Sequence, residues 1–182
     1  MSDSLIQLRD SRESDCPSIQ SIYAHHVLHG TASFELDPPT VDEITQRRAV
    51  IVDKKLPYII AERDGEVMGY AYVTMYRPRP AYRFTVENSV YVRDGLTGEG
   101  IGSKLLVELI RRCVEAGYRQ MIAVIGDSSA ASVALHQRHG FTQVGLFRSV
   151  GFKARAWRDT AMLQLELGAG DRMPPEQASA IK

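Results

Sequence analysis

Cysteine is scarce: Cys16 and Cys113 are the two thiols in 182 residues. Two unclustered thiols make neither a disulfide framework nor a metal set, and they read as reduced cysteines of a cytoplasmic protein. An excess of one charge is missing too, because Lys plus Arg and Asp plus Glu both total 22. A general nucleic-acid binder normally carries a basic excess, so no nucleic-acid partner is expected, although a local basic patch is compatible with these totals. No apolar run approaches membrane-spanning length. The opening Met-Ser-Asp-Ser-Leu-Ile-Gln lacks the charged-then-apolar pattern of a signal segment, so no membrane association is expected. Internal repeats and low-complexity stretches are absent from the interior. The length suits one domain with a full core, assigned here to residues 1–167. Residues 168–182, with Gly170, Pro174 and Pro175, read as a mobile tail.

What is present is a regular alternation of patterns. Ile6 and Leu8 alternate with polar neighbours as a short strand. Ser14 is placed to cap a helix with Pro17 in its first turn, in which Ile19, Tyr23 and Val27 recur at helical spacing. His25, His26 and His29 fall near its end. His25 and His29 could share a ligand, but no carboxylate or Cys completes a set, so surface or partly packed histidines and no metal are expected. Thr40 and Glu43 form a capping box for a second helix ending near Asp53. Residues 57–63 and 66–75 are two strands joined by an Asp64-Gly65 hairpin turn. The loop Tyr76-Arg77-Pro78-Arg79-Pro80-Ala81-Tyr82-Arg83-Phe84 carries three arginines and three aromatics. It reads equally as a solvated connection or as a specificity loop for an acidic group.

Residues 86–102 carry the most information. Val86, Asn88, Val90 and Val92 share one face of a strand, and Glu87, Ser89 and Tyr91 share the other. Gly98, Gly100 and Gly102 then remove three β-carbons where a helix begins. Backbone can there approach a ligand closely, and free N–H groups of the first turn suit an anion such as phosphate. Neither the Walker spacing nor the dinucleotide fingerprint fits these glycines. The helix from Ile101 to about Ala116 buries Leu105, Leu109 and Cys113 at four-residue steps, with Glu108 and Arg112 paired outside. Met121–Ile125 reads as a buried parallel strand. Another helix closes at Gly140, Phe141 to Phe147 is a strand, and Trp157 to Leu167 is the last.

The order β-α-α-β-β-β-α-β-α-β-β implies an α/β sandwich rather than a doubly wound fold. Thr97-Gly98-Glu99-Gly100-Ile101-Gly102, and Ser129 and Ser132 followed by Leu135-His136 and Gly140-Phe141, resemble two motifs of the GNAT superfamily of N-acetyltransferases. The string Thr85-Val86-Glu87-Asn88-Ser89-Val90-Tyr91-Val92 resembles the phosphinothricin/methionine sulfoximine branch. This resemblance covers roughly residues 5–167 and implies a mixed, mostly antiparallel sheet of about seven strands with helices on both faces. It further implies an enzyme that transfers the acetyl group of acetyl-CoA to the amino group of a small amino-acid analogue. Thr97 and Ser129 depart from the family's usual Arg/Gln and Asn.

The roles carried over by resemblance are as follows. Glu87 is the base that deprotonates the ammonium, the Val90 amide is an oxyanion donor, and His136 is a general acid or an orienting group. The acetyl-CoA site would involve Val90, Tyr91, Val92, Thr97, Gly98, Glu99, Gly100, Ile101, Gly102, Ser103, Ser129 and Ser132. Phe34, Arg77, Arg79, Tyr82, Glu87 and Gly126 would hold the acceptor. Family members are commonly homodimers, so a homodimer is expected, with Trp157 in that interface or in the core. Two other readings stay open: acetylation of another small amine or a protein N-terminus, and a CoA-binding sensor without turnover.

Overall fold

The computed structural model describes residues 5–175. The strands are β1 (Gln7–Asp10), β2 (Tyr58–Arg63), β3 (Glu66–Met75), β4 (Thr85–Val92), β5 (Gln120–Gly126), β6 (Thr142–Lys153) and β7 (Ala156–Glu166). The helices are α1 (Cys16–His29), α2 (Val41–Asp53), α3 (Ile101–Glu115) and α4 (Ala130–Arg138). All seven strands form one sheet in the order β1-β2-β3-β4-β5-β7-β6, antiparallel everywhere except between β4 and β5. The parallel pair is joined through α3, as a parallel connection requires a crossover.

Alternation along β4 assigns the layers. Tyr91 meets Tyr23 of α1 edge-on at 5.2 Å, whereas Val90 and Val92 lie beneath Gly102 of α3. Odd and even residues of a strand face opposite ways, so α1 and α3 cover opposite faces. On the α1 face, Tyr58, Tyr70, Tyr72 and Tyr91 stack across three strands. On the α3 face, Leu105, Leu106, Leu109 and Cys113 are fully buried. Each such aliphatic side chain contributes about 1.5–3 kcal/mol by leaving water. Gly69 lets α3 sit down on the sheet, since a Cβ there would lie 3.3 Å from the Leu105 side chain and 2.7 Å from the Tyr91 carbonyl oxygen.

Two local expectations need correction. Ser14 does not cap α1; it sits in a 3-10 turn, Glu13–Asp15, and the cap position falls to Asp15. That carboxylate is buried and takes two 2.8 Å hydrogen bonds from the Arg9 guanidinium. The strand assigned to Phe141–Phe147 begins one residue later and continues to Lys153 across a register shift between Phe147 and Gly151. Ser149 has a positive φ of 54° there, and the interruption hides the strand from an alternation pattern. The Thr40–Glu43 capping box, the 66–75 strand and the end of α2 at Asp53 are as expected. Both cysteines are buried, and burial pushes the Cys113 thiol up to about 12. After β7, Leu167 is buried and residues 168–172 continue in turns, with Gly170 N–H donating to Leu167 C=O at 2.9 Å. The rest of the expected tail beyond Pro175 lies outside the described residues. No described helix is long and apolar enough to cross a membrane.

Candidate active site

The site begins where two strands part. β4 and β5 pair only from Thr85↔Gln120 to Asn88↔Ala123. Beyond that rung β4 stays with β3 as far as Val92↔Gly69, and β5 stays with β7 as far as Gly126↔Thr160. Each strand follows its other neighbour, so a cleft opens between them. Its lining includes Ala32, Asn88, Ser89, Val90, Val124, Gly126, Ser132 and His136. Val124 is 40% exposed although its strand lies inside the sheet, a direct mark of the gap.

Backbone direction along β4 follows from its hydrogen bonds. Thr85 C=O accepts from Tyr76 N–H, and Arg93 N–H donates to Met68 C=O, so odd residues turn their amides towards β3. Even residues therefore turn N–H and C=O towards β5, or into the cleft once β5 has left. Val90 and Val92 are those residues. The Val92 carbonyl meets His26 Nε2 at 2.8 Å, a side-chain partner where a strand would otherwise lie.

The glycine loop meets the cleft at the start of α3. Gly98 and Gly100 have φ of +93° and +77°, with open space where a Cβ would stand. Gly100 occupies the cap position, and no side chain caps the helix. The N–H groups of Ile101, Gly102 and Ser103 are the free donors of a first helical turn, a natural anion site. Ile101 is buried to 1% exposure, so its part in such a site is its backbone. Thr97 is exposed, Glu99 is paired with Arg63 at 2.9 Å, and the Ser103 hydroxyl lies 2.6 Å from His139 Nε2. Ser129 takes the cap position of α4 without a side-chain hydrogen bond, after Asp127 and Ser128 at positive φ. This donor set and the missing side-chain bulk fit an acyl-CoA with its pyrophosphate at α3.

Glu87 lies opposite Thr74, one rung before the strands part, on the α1 face. It is partly buried and takes no hydrogen bond among the described residues. Burial raises its pKa, and the positive charge of Arg77 offsets part of that rise. A carboxylate held in this way is a stronger base than a free one and has its lone pairs available. His136 is across the strand, on the α3 face. Its Nε2 is 2.8 Å from Asn88 Nδ2, and its Nδ1 is 2.8 Å from the Ser132 carbonyl. Burial lowers its pKa, more than the Ser132 carbonyl raises it.

The acceptor residues are less gathered. Arg77 stacks on Tyr76 at 4.6 Å, and Tyr76 meets Tyr82 edge-on at 5.7 Å. Tyr76 is half-buried and the other two are exposed, and the Arg77 charge reaches the Glu87 carboxyl. Arg79 caps the short 3-10 turn Pro80–Tyr82 and is exposed. Phe34 packs on Gly151, where a Cβ would come within 2.3 Å of the ring. Gly126 lies under the Ala32 carbonyl, 2.7 Å from where its Cβ would be. Gly126 thus serves the loop over the cleft, a packing role beside the expected substrate approach.

Sequence reasoning missed three residues that build this site. Asn88 had a visible signal, a polar residue on the valine face of β4. Lys153 is buried and donates to the Ser33 carbonyl at 2.6 Å, fixing the loop that carries Phe34. Asp127 accepts from the Thr31 hydroxyl at 2.5 Å and ties the same loop to the end of β5. Neither of these last two contacts has a local pattern, since both join residues remote in the chain.

A sheet that opens between its two parallel strands, beside an uncapped helix N-terminus and a partly buried carboxylate, has the architecture of an acyl-CoA-dependent transferase. The Acetyltransferase (GNAT) family model matches residues 19–141. The chain is 52% identical over 170 residues to phosphinothricin N-acetyltransferase from Alcaligenes faecalis, covering 93% of this chain and 86% of the relative. It is 37% identical over 164 residues to the L-methionine sulfoximine/L-methionine sulfone acetyltransferase from Salmonella typhimurium, covering 88% and 94%. A phosphinothricin acetyltransferase from Sinorhizobium meliloti, solved in complex with AcCoA, superposes with a TM-score of 0.95 at 42% identity over 97% of both chains. This chain belongs to the GNAT family of acetyltransferases, and the expected seven-stranded mixed fold and enzyme class are those found.

Proposed function

We propose that this enzyme transfers the acetyl group of acetyl-CoA to the amino group of a small amino-acid analogue of the phosphinothricin or methionine sulfoximine type. The names of the relatives support the acceptor class. The observation that carries the reading is the parting of β4 and β5 after Asn88↔Ala123, directly beside the carboxylate of Glu87. Acetyl-CoA supplies the activated acyl group as a thioester. Its pyrophosphate would take the N–H groups at the start of α3, with Thr97 as a neutral hydroxyl partner, and the pantetheine amides would follow Val92. Glu87 accepts the proton of the acceptor ammonium, directly or through one water, and the freed amine attacks in a ternary complex. The Val90 N–H stabilises the negative charge that develops on the acyl oxygen. His136 serves the departing thiolate as acid or orienting group.

Arg77, Arg79, Tyr82 and Phe34 would bind the carboxylate and the oxygen-rich side group of the acceptor. The two arginines weigh against polycationic acceptors, because like charges repel. A homodimer is part of the proposal: Val144, Leu146, Phe147, Val150, Phe152 and Trp157 are all exposed on the β6–β7 hairpin, at one edge of the sheet. So many apolar side chains in one place favour burial by a second copy over exposure to water. A cytoplasmic location suits two reduced, buried thiols.

The test is thiol release from acetyl-CoA, with acetylated product identified by mass. The acceptor panel holds L-phosphinothricin, L-methionine sulfoximine, ordinary amino acids, a polyamine and an aminoglycoside. Turnover on the first two and loss of it in Arg77→Ala is the expected result. Turnover on a different amine only would discard the acceptor assignment and keep the acetyl transfer. Silence throughout, with acetyl-CoA still bound, would favour a sensor without turnover.

A further inference from the structure

His136 is 4% exposed, and both of its ring nitrogens have a partner. A carbonyl oxygen only accepts, so the contact with Ser132 C=O requires a proton on Nδ1. The amide nitrogen of Asn88 only donates, so Nε2 offers it a lone pair and carries no proton. The imidazole is therefore neutral in this arrangement, with its tautomer fixed from two sides. Asn88 is itself 6% exposed, and its Oδ1 has no hydrogen-bond partner among the described residues. A buried acceptor without a donor is a rare feature that asks for a reason.

The reason lies in the other orientation of the same amide. Turned over about its last side-chain bond, Asn88 would present Oδ1 to Nε2, and Oδ1 can only face an N–H. With Nδ1–H still held by Ser132, that ring carries both protons and is an imidazolium. Turning over breaks no bond on the Oδ1 side, because none exists there. We propose that Asn88 is the positioning residue of His136 and that its side-chain amide turns over as His136 gains or loses a proton at Nε2.

The surroundings leave Asn88 as the group that can select between these states. From β4 the cleft receives Asn88, Ser89, Val90 and Tyr91, and from β5 it receives Ala123, Val124, Ile125 and Gly126. Tyr91 is the ionisable residue among these, and its ring is stacked on Tyr70 and edge-on to Tyr23 across the sheet, with its pKa driven far up by burial. Phe141 meets the imidazole edge-on at 4.9 Å. On its own helix the charge that acts on the ring is that of His139, which opposes protonation and is engaged by Ser103 of α3. Among the described residues no carboxylate acts on the ring in competition with the amide. The use of this pair in catalysis rests on the proposed acetyl transfer: Nε2 first takes a proton from solvent water as the amide turns over, the Nε2–H bond then breaks as an S–H bond forms on the leaving thiolate, and the amide returns to its resting orientation. The proton state of the pair does not rest on it and is measured without turnover.

Imidazole ¹⁵N–¹H correlation spectra of the ligand-free protein provide the test, with the His136 signals assigned by their absence in His136→Gln. The unsubstituted protein at pH 7.5 should show a neutral His136 protonated at Nδ1. Asn88→Asp keeps the shape and supplies only acceptors, so it should bring a proton to Nε2 and raise the His136 midpoint by about 1–3 pH units. The alkaline limb of the kcat profile, where the proton donor is lost, should move by the same amount in the same direction. Asn88→Leu removes both functions and should lower the midpoint. A neutral ring protonated at Nε2 in the unsubstituted protein would overturn the proposal, and it needs no variant to fold. An unshifted midpoint in a folded Asn88→Asp would overturn it as well. An active enzyme with either of these spectra sinks the pair alone, and an inactive one with the expected spectra sinks only the acetyl transfer.

Discussion

The two borders of β4 are built from the same eight residues and behave in opposite ways. Along β3 the pairing runs unbroken from Met75↔Val86 to Gly69↔Val92, and the tyrosines of both strands stack over it. Along β5 it stops at Asn88↔Ala123, and the second half of the strand faces a cleft. An antiparallel neighbour joined closely in the sheet holds register to its end. A parallel neighbour reached through α3 can be drawn aside by β7. The difference teaches where backbone becomes functional: odd-numbered amides of β4 are spent on the sheet, and those of Val90 and Val92 face whatever enters the gap.

The comparison can be broken most severely at Glu87, on the next-to-last paired rung. Glu87→Gln should lower kcat by about 10²–10⁴-fold, the range for a lost general base, with acetyl-CoA affinity retained in calorimetry. Its effect on stability has the opposite sign. Burial raises the folded-state pKa of Glu87 against the smaller influence of Arg77, so folding favours the protonated carboxyl. Stability from this group is present below the ordinary carboxylate pKa and is lost as pH rises through the raised folded value. The neutral Gln avoids that loss, so Tm at pH 7 should exceed that of the parent, and the advantage should vanish near pH 4. A lower Tm at pH 7 would show that the carboxylate is stabilised by a partner rather than stranded.

Next in size is a pair of proline substitutions that read the two borders against each other. Val90→Pro removes an N–H aimed at the cleft and should leave a folded protein that has lost about 10²–10³-fold in kcat, the range for an oxyanion donor. Ser89→Pro removes an N–H aimed at β3 and abandons a sheet carbonyl, at a cost of about 1–3 kcal/mol in urea unfolding. Equal loss of stability in both variants would mean that Val90 is paired after all. The smallest effect is expected at Thr97, beyond the end of the cleft. Thr97→Arg adds a charge to the anion site and should tighten acetyl-CoA severalfold at low salt, with the gain fading as ionic strength rises past the point where the screening length falls to about 10 Å. A gain independent of salt would argue against a phosphate contact.

Legibility in the sequence followed locality. The capping box at Thr40, the hairpin at Asp64-Gly65 and the α3 stripe through Leu105, Leu109 and Cys113 depend on residues a few positions apart, and they appear where the pattern put them. The cap at Ser14 failed because a remote guanidinium, that of Arg9, holds the neighbouring Asp15. The long β6 was cut short at Phe147 because its irregularity interrupts the alternation that reveals strands. Within the site, the glycine loop was readable as the uncapped start of α3, where Gly98 and Gly100 take positive φ with no Cβ to oppose it. The roles given to Arg79 and Ser129 remain proposals that rest on resemblance, as neither side chain makes a hydrogen bond in the described residues.

The sequence by itself determined the order of elements, the two faces of β4 and the uncapped start of α3, since each follows from side-chain period and from the lack of a Cβ. Only the tertiary structure decided that β4 and β5 part after Asn88, that Lys153 and Asp127 hold the Phe34 loop, and that Asn88 faces His136. Those outcomes depend on which of two competing neighbours a strand follows and on contacts between distant residues. Such choices are made by packing energy across the whole sheet, which no local pattern records.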